Sequence, residues 1–124
     1  MKTLLIVDDE YDVVDVLASI LADEGYRVLT ACNGREGLSR LAEVRPDLVI
    51  LDLMMPIMDG RQMLEAMRAH PDYRDVQTLL VTAADDHSVA RKFSVELLSK
   101  PIELELLLQT VGRLAGPAEP KQES

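Results

Sequence analysis

Short apolar runs alternate along the chain with stretches whose apolar residues recur every three or four positions. Leu4-Leu5-Ile6-Val7 reads as a strand, because an unbroken apolar run bounded by polar residues suits burial on both faces of a sheet. Val14, Leu17, Ala18 and Leu21 then fall at helical spacing, which predicts a first helix ended by Gly25. Tyr26 to Ala31 alternates more and predicts a second strand nearer an edge. Asn33 is placed to cap a second helix that turns Leu38, Leu41 and Ala42 inward, closed by Pro46. Leu48 to Leu51 is a third strand, and Asp59 can cap a third helix carrying Met63, Ala66 and Met67. Leu79-Leu80-Val81 predicts a fourth strand running into Thr82-Ala83-Ala84, followed by a short helical piece from about Asp86 to Phe93. Leu97-Leu98 centres a fifth strand that ends at Ser99-Lys100-Pro101, and Leu104, Leu107, Leu108 and Val111 mark a last helix.

Five repeats of strand then helix predict an α/β fold, a parallel sheet with helices on both faces. The chain of 124 residues suits one domain over 1–115. Residues 116–124 lack apolar periodicity and are expected to be a disordered tail or the stub of a linker. Hydrophobic residues make up 48% and aromatic ones 3%, so the core is expected to be aliphatic. The formal net charge of −9 argues against nucleic acid and against anionic membrane surfaces as partners, since both need clustered Lys and Arg. No apolar run approaches the roughly 20 residues that span a bilayer, and Asp8 cuts the first run too short for an export signal. With one cysteine, Cys32, no internal disulfide can form, and a cytoplasmic location is expected. Cys32 is expected to be a small buried residue, and the five methionines Met54, Met55, Met58, Met63 and Met67 mostly core filling. His70 and His87 lack metal-ligand spacing, and Asp85-Asp86 reads as a capping pair.

The polar residues that end the strands change the picture. Asp52 terminates an apolar run just before Pro56 and the turn at Asp59-Gly60, so it is expected at the tip of a central strand. Strand one ends in Asp8 and Asp9, strand four in Thr82 and strand five in Lys100. In a parallel sheet these ends share one edge, the edge where open α/β sheets bind ligands. Carboxylates about 4 Å apart repel by several kcal/mol at a moderate dielectric unless a cation sits among them. An all-oxygen donor set with room for water suits Mg²⁺. A hydroxyl and an ammonium nearby can hold anionic oxygens, so the set is equipped to receive a phosphoryl group on Asp52.

Asp8-Asp9, Asp52 within Asp52-Leu53-Met54-Met55-Pro56-Ile57-Met58-Asp59-Gly60, Thr82-Ala83 and Lys100-Pro101, in this order, make the chain resemble a receiver domain of the two-component response-regulator family. The similarity runs from about Lys2 to Leu114. The resemblance implies a flavodoxin-like doubly wound (βα)5 fold with strand order 2-1-3-4-5. It implies Asp52 as the nucleophile, charged by a histidine kinase or a histidine phosphotransfer protein. It implies Mg²⁺ held by Asp9, Asp52 and the backbone carbonyl of Met54, with Asp8 assisting. Thr82 and Lys100 are then the groups that meet the phosphoryl oxygens, and the Lys100-Pro101 bond is expected to be cis.

The chain departs from the family pattern in two places. Leu97 stands where relatives carry an aromatic residue three positions before the lysine, with Phe93 nearby and expected to be core. The segment between Thr82 and Lys100 is roughly four residues short, about one helical turn, so a shortened fourth helix is expected. Signalling is expected through phosphorylation-dependent binding of a downstream protein or through a phosphorelay, by a monomer or weak dimer. The alternative is a degenerate receiver that acts as an interaction scaffold. A phosphatase with an aspartyl nucleophile would need a second acid where Met54 stands, and a flavin protein would need a phosphate-cradling loop where Asp8-Asp9-Glu10 stands.

Overall fold

A computed structural model describes residues 1–85 and 87–118, so Asp86 and most of the expected tail lie outside the described residues. Ten elements alternate: β1 Thr3–Val7, α1 Tyr11–Asp23, β2 Arg27–Ala31, α2 Gly34–Glu43, β3 Leu48–Leu51, α3 Gly60–Ala69, β4 Thr78–Thr82, α4 Ser88–Phe93, β5 Glu96–Ser99 and α5 Leu104–Ala115. Local chemistry sets several of these boundaries. Asn33 accepts from the Glu36 N–H at 2.9 Å and starts α2. Asp59 and Gln62 bond reciprocally across the first turn of α3, at 2.8 and 3.0 Å, satisfying two backbone donors that the helix leaves free. Gly25, at φ +106°, turns the chain out of α1.

The strands are all parallel in the order β2-β1-β3-β4-β5. Period-two alternation splits the apolar residues of each strand between two layers. Leu4, Ile6, Leu48, Ile50, Leu79 and Val81 pack with Val14, Leu17 and Leu21 of α1 and Leu107 and Val111 of α5. Leu5, Val7, Val49, Leu51 and Leu80 pack with Leu41 of α2, Met63, Leu64 and Met67 of α3 and Ala90 of α4. Helices α1 and α5 therefore cover one face and α2, α3 and α4 the other. Each fully buried Leu or Ile contributes about 1.5–3 kcal/mol, so both layers are needed to hold the central strands. The edge strands β2 and β5 carry exposed positions, whereas β1, β3 and β4 are buried throughout.

Helix α4 spans six residues, the short fourth helix that the sequence implies. It stops at Ser94, which takes a left-handed backbone at φ 54°. Some side chains differ from expectation. Ala42, expected to turn inward, is exposed one residue from the end of α2, and Leu64 fills the core beside a half-buried Ala66. Only Met63 and Met67 of the five methionines are fully buried; Met55 and Met58 are half-buried and Met54 is exposed. Cys32 is half-buried rather than buried, and its thiol donates to Glu36 Oε2 at 3.0 Å, a bond that pushes its pKa up. Among the described residues no helix is long and apolar enough to cross a membrane.

Candidate functional site

Sheet register brings the strand tips together. Val7 pairs with Leu51, so Asp8 and Asp52 leave adjacent strands side by side. Thr82 pairs with Ser99, and the next residue, Lys100, donates its N–H to the Thr82 carbonyl at 2.9 Å. The Lys100-Pro101 bond is cis. Asp52 is fixed from behind, its N–H donating to the Val7 carbonyl at 3.0 Å.

The Lys100 ammonium is the hub. Its Nζ lies 2.8 Å from Asp8 Oδ2, 2.9 Å from Glu10 Oε1 and 3.2 Å from Asp52 Oδ2. Asp8 and Asp52 are 5% and 4% exposed, which makes the lysine their means of staying ionised away from bulk water. Three ionised carboxylates around one ammonium leave a formal excess of negative charge. Burial pushes the Asp8 carboxyl above its ordinary value of 3.8, against hydrogen bonds from Lys100 and the Glu10 N–H, and the Asp52 charge adds to the rise. Burial alone would lower the Lys100 pKa, but its bonds to Asp8 and Glu10 and the charge of Asp52 outweigh that and raise it. The lysine is a permanent cation of the site.

Asp52 uses its two oxygens differently. Oδ2 faces Lys100, while Oδ1 accepts from the Met54 N–H at 3.2 Å in the loop after β3. On this loop side Asp9, Leu53 and Met54 border an open depression of about 440 Å³. Asp9 is exposed, at a bend just past the end of β1, and is not among the carboxylates gathered around the lysine; the bend and the bond from the Glu10 N–H to Asp8 Oδ1 bring residues 8 and 10 together instead. Single carboxylate oxygens of Asp8, Glu10 and Asp52 lie within 4.8 Å of one another, so Glu10 joins the two aspartates. Glu10 is a site residue absent from the set that the strand ends point to in the sequence. Its i+2 spacing from Asp8 was the available signal.

Thr82 is fully buried at the end of β4, and its hydroxyl oxygen accepts from the Ala84 N–H at 3.2 Å. The loop that carries Asp52 onward is tightly shaped. The Met58 N–H closes on the Pro56 carbonyl at 2.7 Å around Ile57, whose φ of 68° is strained for a β-branched residue. A side chain at Gly60 would collide with the Asp52 carbonyl oxygen and lie 2.8 Å from Leu53 Cα. Leu97 and Phe93 are both half-buried against the layer containing α3, with the Lys92 ammonium 5.4 Å from the centre of the Phe93 ring. Lys100 and Glu10 also border an apolar groove of about 740 Å³ between α1 and the β5–α5 connection.

Residues 4–112 match the family described as the response regulator receiver domain. The chain is 39% identical over 111 residues to response regulator MprA of Mycolicibacterium vanbaalenii, which covers 85% of this chain and 46% of that protein. It thus spans about half the length of that relative. Protein PilH of Pseudomonas aeruginosa is 31% identical over 121 residues, covering 94% of this chain and 100% of its own. Among solved structures, response regulator protein TrrA of Thermotoga maritima, in complex with Mg²⁺-BeF, superposes with a TM-score of 0.83 at 32% identity, over 92% of this chain and 99% of that one.

Proposed function

Since this chain belongs to the response regulator receiver family, we propose that it is a phospho-accepting signalling domain in which Asp52 takes a phosphoryl group from a histidine kinase or a histidine phosphotransfer protein. The observation that supports this most is the Lys100 ammonium 3.2 Å from Asp52 Oδ2, at the sheet edge where the strand-end carboxylates gather. In the step proposed, an Asp52 carboxylate oxygen attacks phosphorus, the bond from phosphorus to the donor's histidine nitrogen breaks, and the imidazole leaves with the electron pair. Lys100 offsets charge on the phosphoryl oxygens, and the Thr82 hydroxyl donates to one of them. The acyl phosphate later loses its phosphoryl group to water, so the signal decays. The domain performs this on itself and turns over no external substrate.

The oxygen-only donor set fits Mg²⁺, with Asp9, Asp52 and the Met54 carbonyl as the proposed ligands and Asp8 assisting. The placement of Asp9 and Met54 around one depression, on the side to which Asp52 turns Oδ1, supports that set. When bound, Mg²⁺ would supply further neutralisation of the phosphoryl oxygens. The TrrA structure holds Mg²⁺ with BeF, and the chemistry carries over to this chain as a proposal. A cytoplasmic location and an output through a downstream protein or a phosphorelay complete the reading. Leu97 and the six-residue α4 keep a second reading open, an interaction scaffold that no longer switches. Intact-mass measurement after incubation with acetyl phosphate and Mg²⁺ separates the two. The switch reading expects one added phosphoryl group, absent in Asp52→Asn and in chelator; no addition to the wild type leaves the scaffold.

A further inference from the structure

We propose that Glu10 is a positioning residue that competes with the phosphoryl group for Lys100 and so sets how readily the site is charged. The inference rests on the reading of Asp52 as the acceptor. A lysine ammonium has three N–H donors. Here Asp8, Glu10 and Asp52 each take one, at 2.8, 2.9 and 3.2 Å. A phosphoryl group on Asp52 brings new anionic oxygens to an ammonium whose donors are all engaged, so one partner has to yield.

The three partners are not equal. Asp52 is the acceptor itself. Asp8 is buried and anchored a second time, its Oδ1 accepting the Glu10 N–H at 3.0 Å. The Glu10 side chain is 57% exposed, so water can take over its carboxylate at small cost. Glu10 therefore holds the lysine ammonium while Asp52 is unphosphorylated and releases it when the phosphoryl group arrives. Its backbone N–H fixes Asp8 while its side chain occupies the lysine, which couples one residue to both groups.

Beryllofluoride binding in saturating Mg²⁺, followed by the shift in thermal unfolding, tests this on the full chain in wild type, Glu10→Gln and Glu10→Asp. Glu10→Gln removes the charge, and Glu10→Asp keeps the charge but shortens the reach by one methylene. Freeing the lysine from an exposed ion pair should tighten beryllofluoride binding roughly twofold to fivefold in both variants. A structural role alone would shift the unfolding temperature without beryllofluoride and leave the affinity unchanged. Equal affinities in all three proteins, weaker binding in the variants, or tightening in Glu10→Gln alone would overturn the contact-based competition. If the wild type itself binds no beryllofluoride, the proposed function fails first and the role of Glu10 falls with it.

Discussion

Asp8 bears the electrostatic strain of the notch. Its folded-state pKa lies above 3.8 because burial outweighs the hydrogen bond from Lys100. A raised carboxyl pKa means the folded protein favours the protonated acid. The charged form then costs stability above the folded pKa, and that cost fades as the pH falls through the folded pKa and is gone below 3.8. Glu96 behaves oppositely. Its bidentate bonds from Arg113, at 2.5 and 2.6 Å, hold its pKa below 4.5, so its contribution is present above 4.5 and lost as the pH falls through the lowered value. That pair is exposed, so solvent screening keeps its contribution small. Carbon-13 NMR titration of Asp8 should give a midpoint above 3.8, climbing further in Lys100→Met; a midpoint below 3.8 in the wild type would contradict this balance. Lys100→Met should also lower stability at neutral pH by about 3 kcal/mol, since it strands two buried carboxylates, and urea unfolding should show the deficit shrinking in acid.

At the scale of elements, the loop from Asp52 to Gly60 is shaped by close backbone contacts. Gly60→Ala should cost more than about 3 kcal/mol in thermal or chemical unfolding, because its methyl would meet the backbone of Asp52 and Leu53, which has no room to yield. Gly112 is the contrast. A methyl there meets nothing within 4 Å inside helix α5, so Gly112→Ala should stabilise by about 0.5–1 kcal/mol. If Gly60→Ala were the milder of the two, the tight packing of the Asp52 loop would be wrong. Ile57→Gly should likewise gain about 1 kcal/mol by relieving its positive φ. These elements were largely legible in the chain. Apolar runs ending in a charge marked β1 and β3, and Asn33 and Asp59 announced their helices, since both signals are local. Ala42 reads as inward in the sequence yet is exposed, because spacing alone does not say where a covering layer stops.

At the scale of the molecule, the fold turns five distant segments into one edge. Strand order decides which carboxylates become neighbours, and nothing in the composition of a parallel strand states its order; that came with the family resemblance. The register Val7 to Leu51 then sets Asp8 beside Asp52 without further design. Glu10 went unrecognised because Asp8-Asp9 reads as a pair in sequence, whereas in space residues 8 and 10 share the lysine. With an excess of carboxylates at this edge, Mg²⁺ should raise the unfolding temperature of the wild type near neutral pH by selective binding to the folded state. Scanning calorimetry should show that rise falling away in acid and in Asp52→Asn. The most direct test traps the phosphoryl group in place: treatment with acetyl phosphate and Mg²⁺, then borohydride, converts an acyl-phosphorylated aspartate to homoserine, which peptide sequencing by mass spectrometry locates. Homoserine at position 52 is the predicted result; homoserine at Asp8, Asp9 or elsewhere, or at no position, would contradict it.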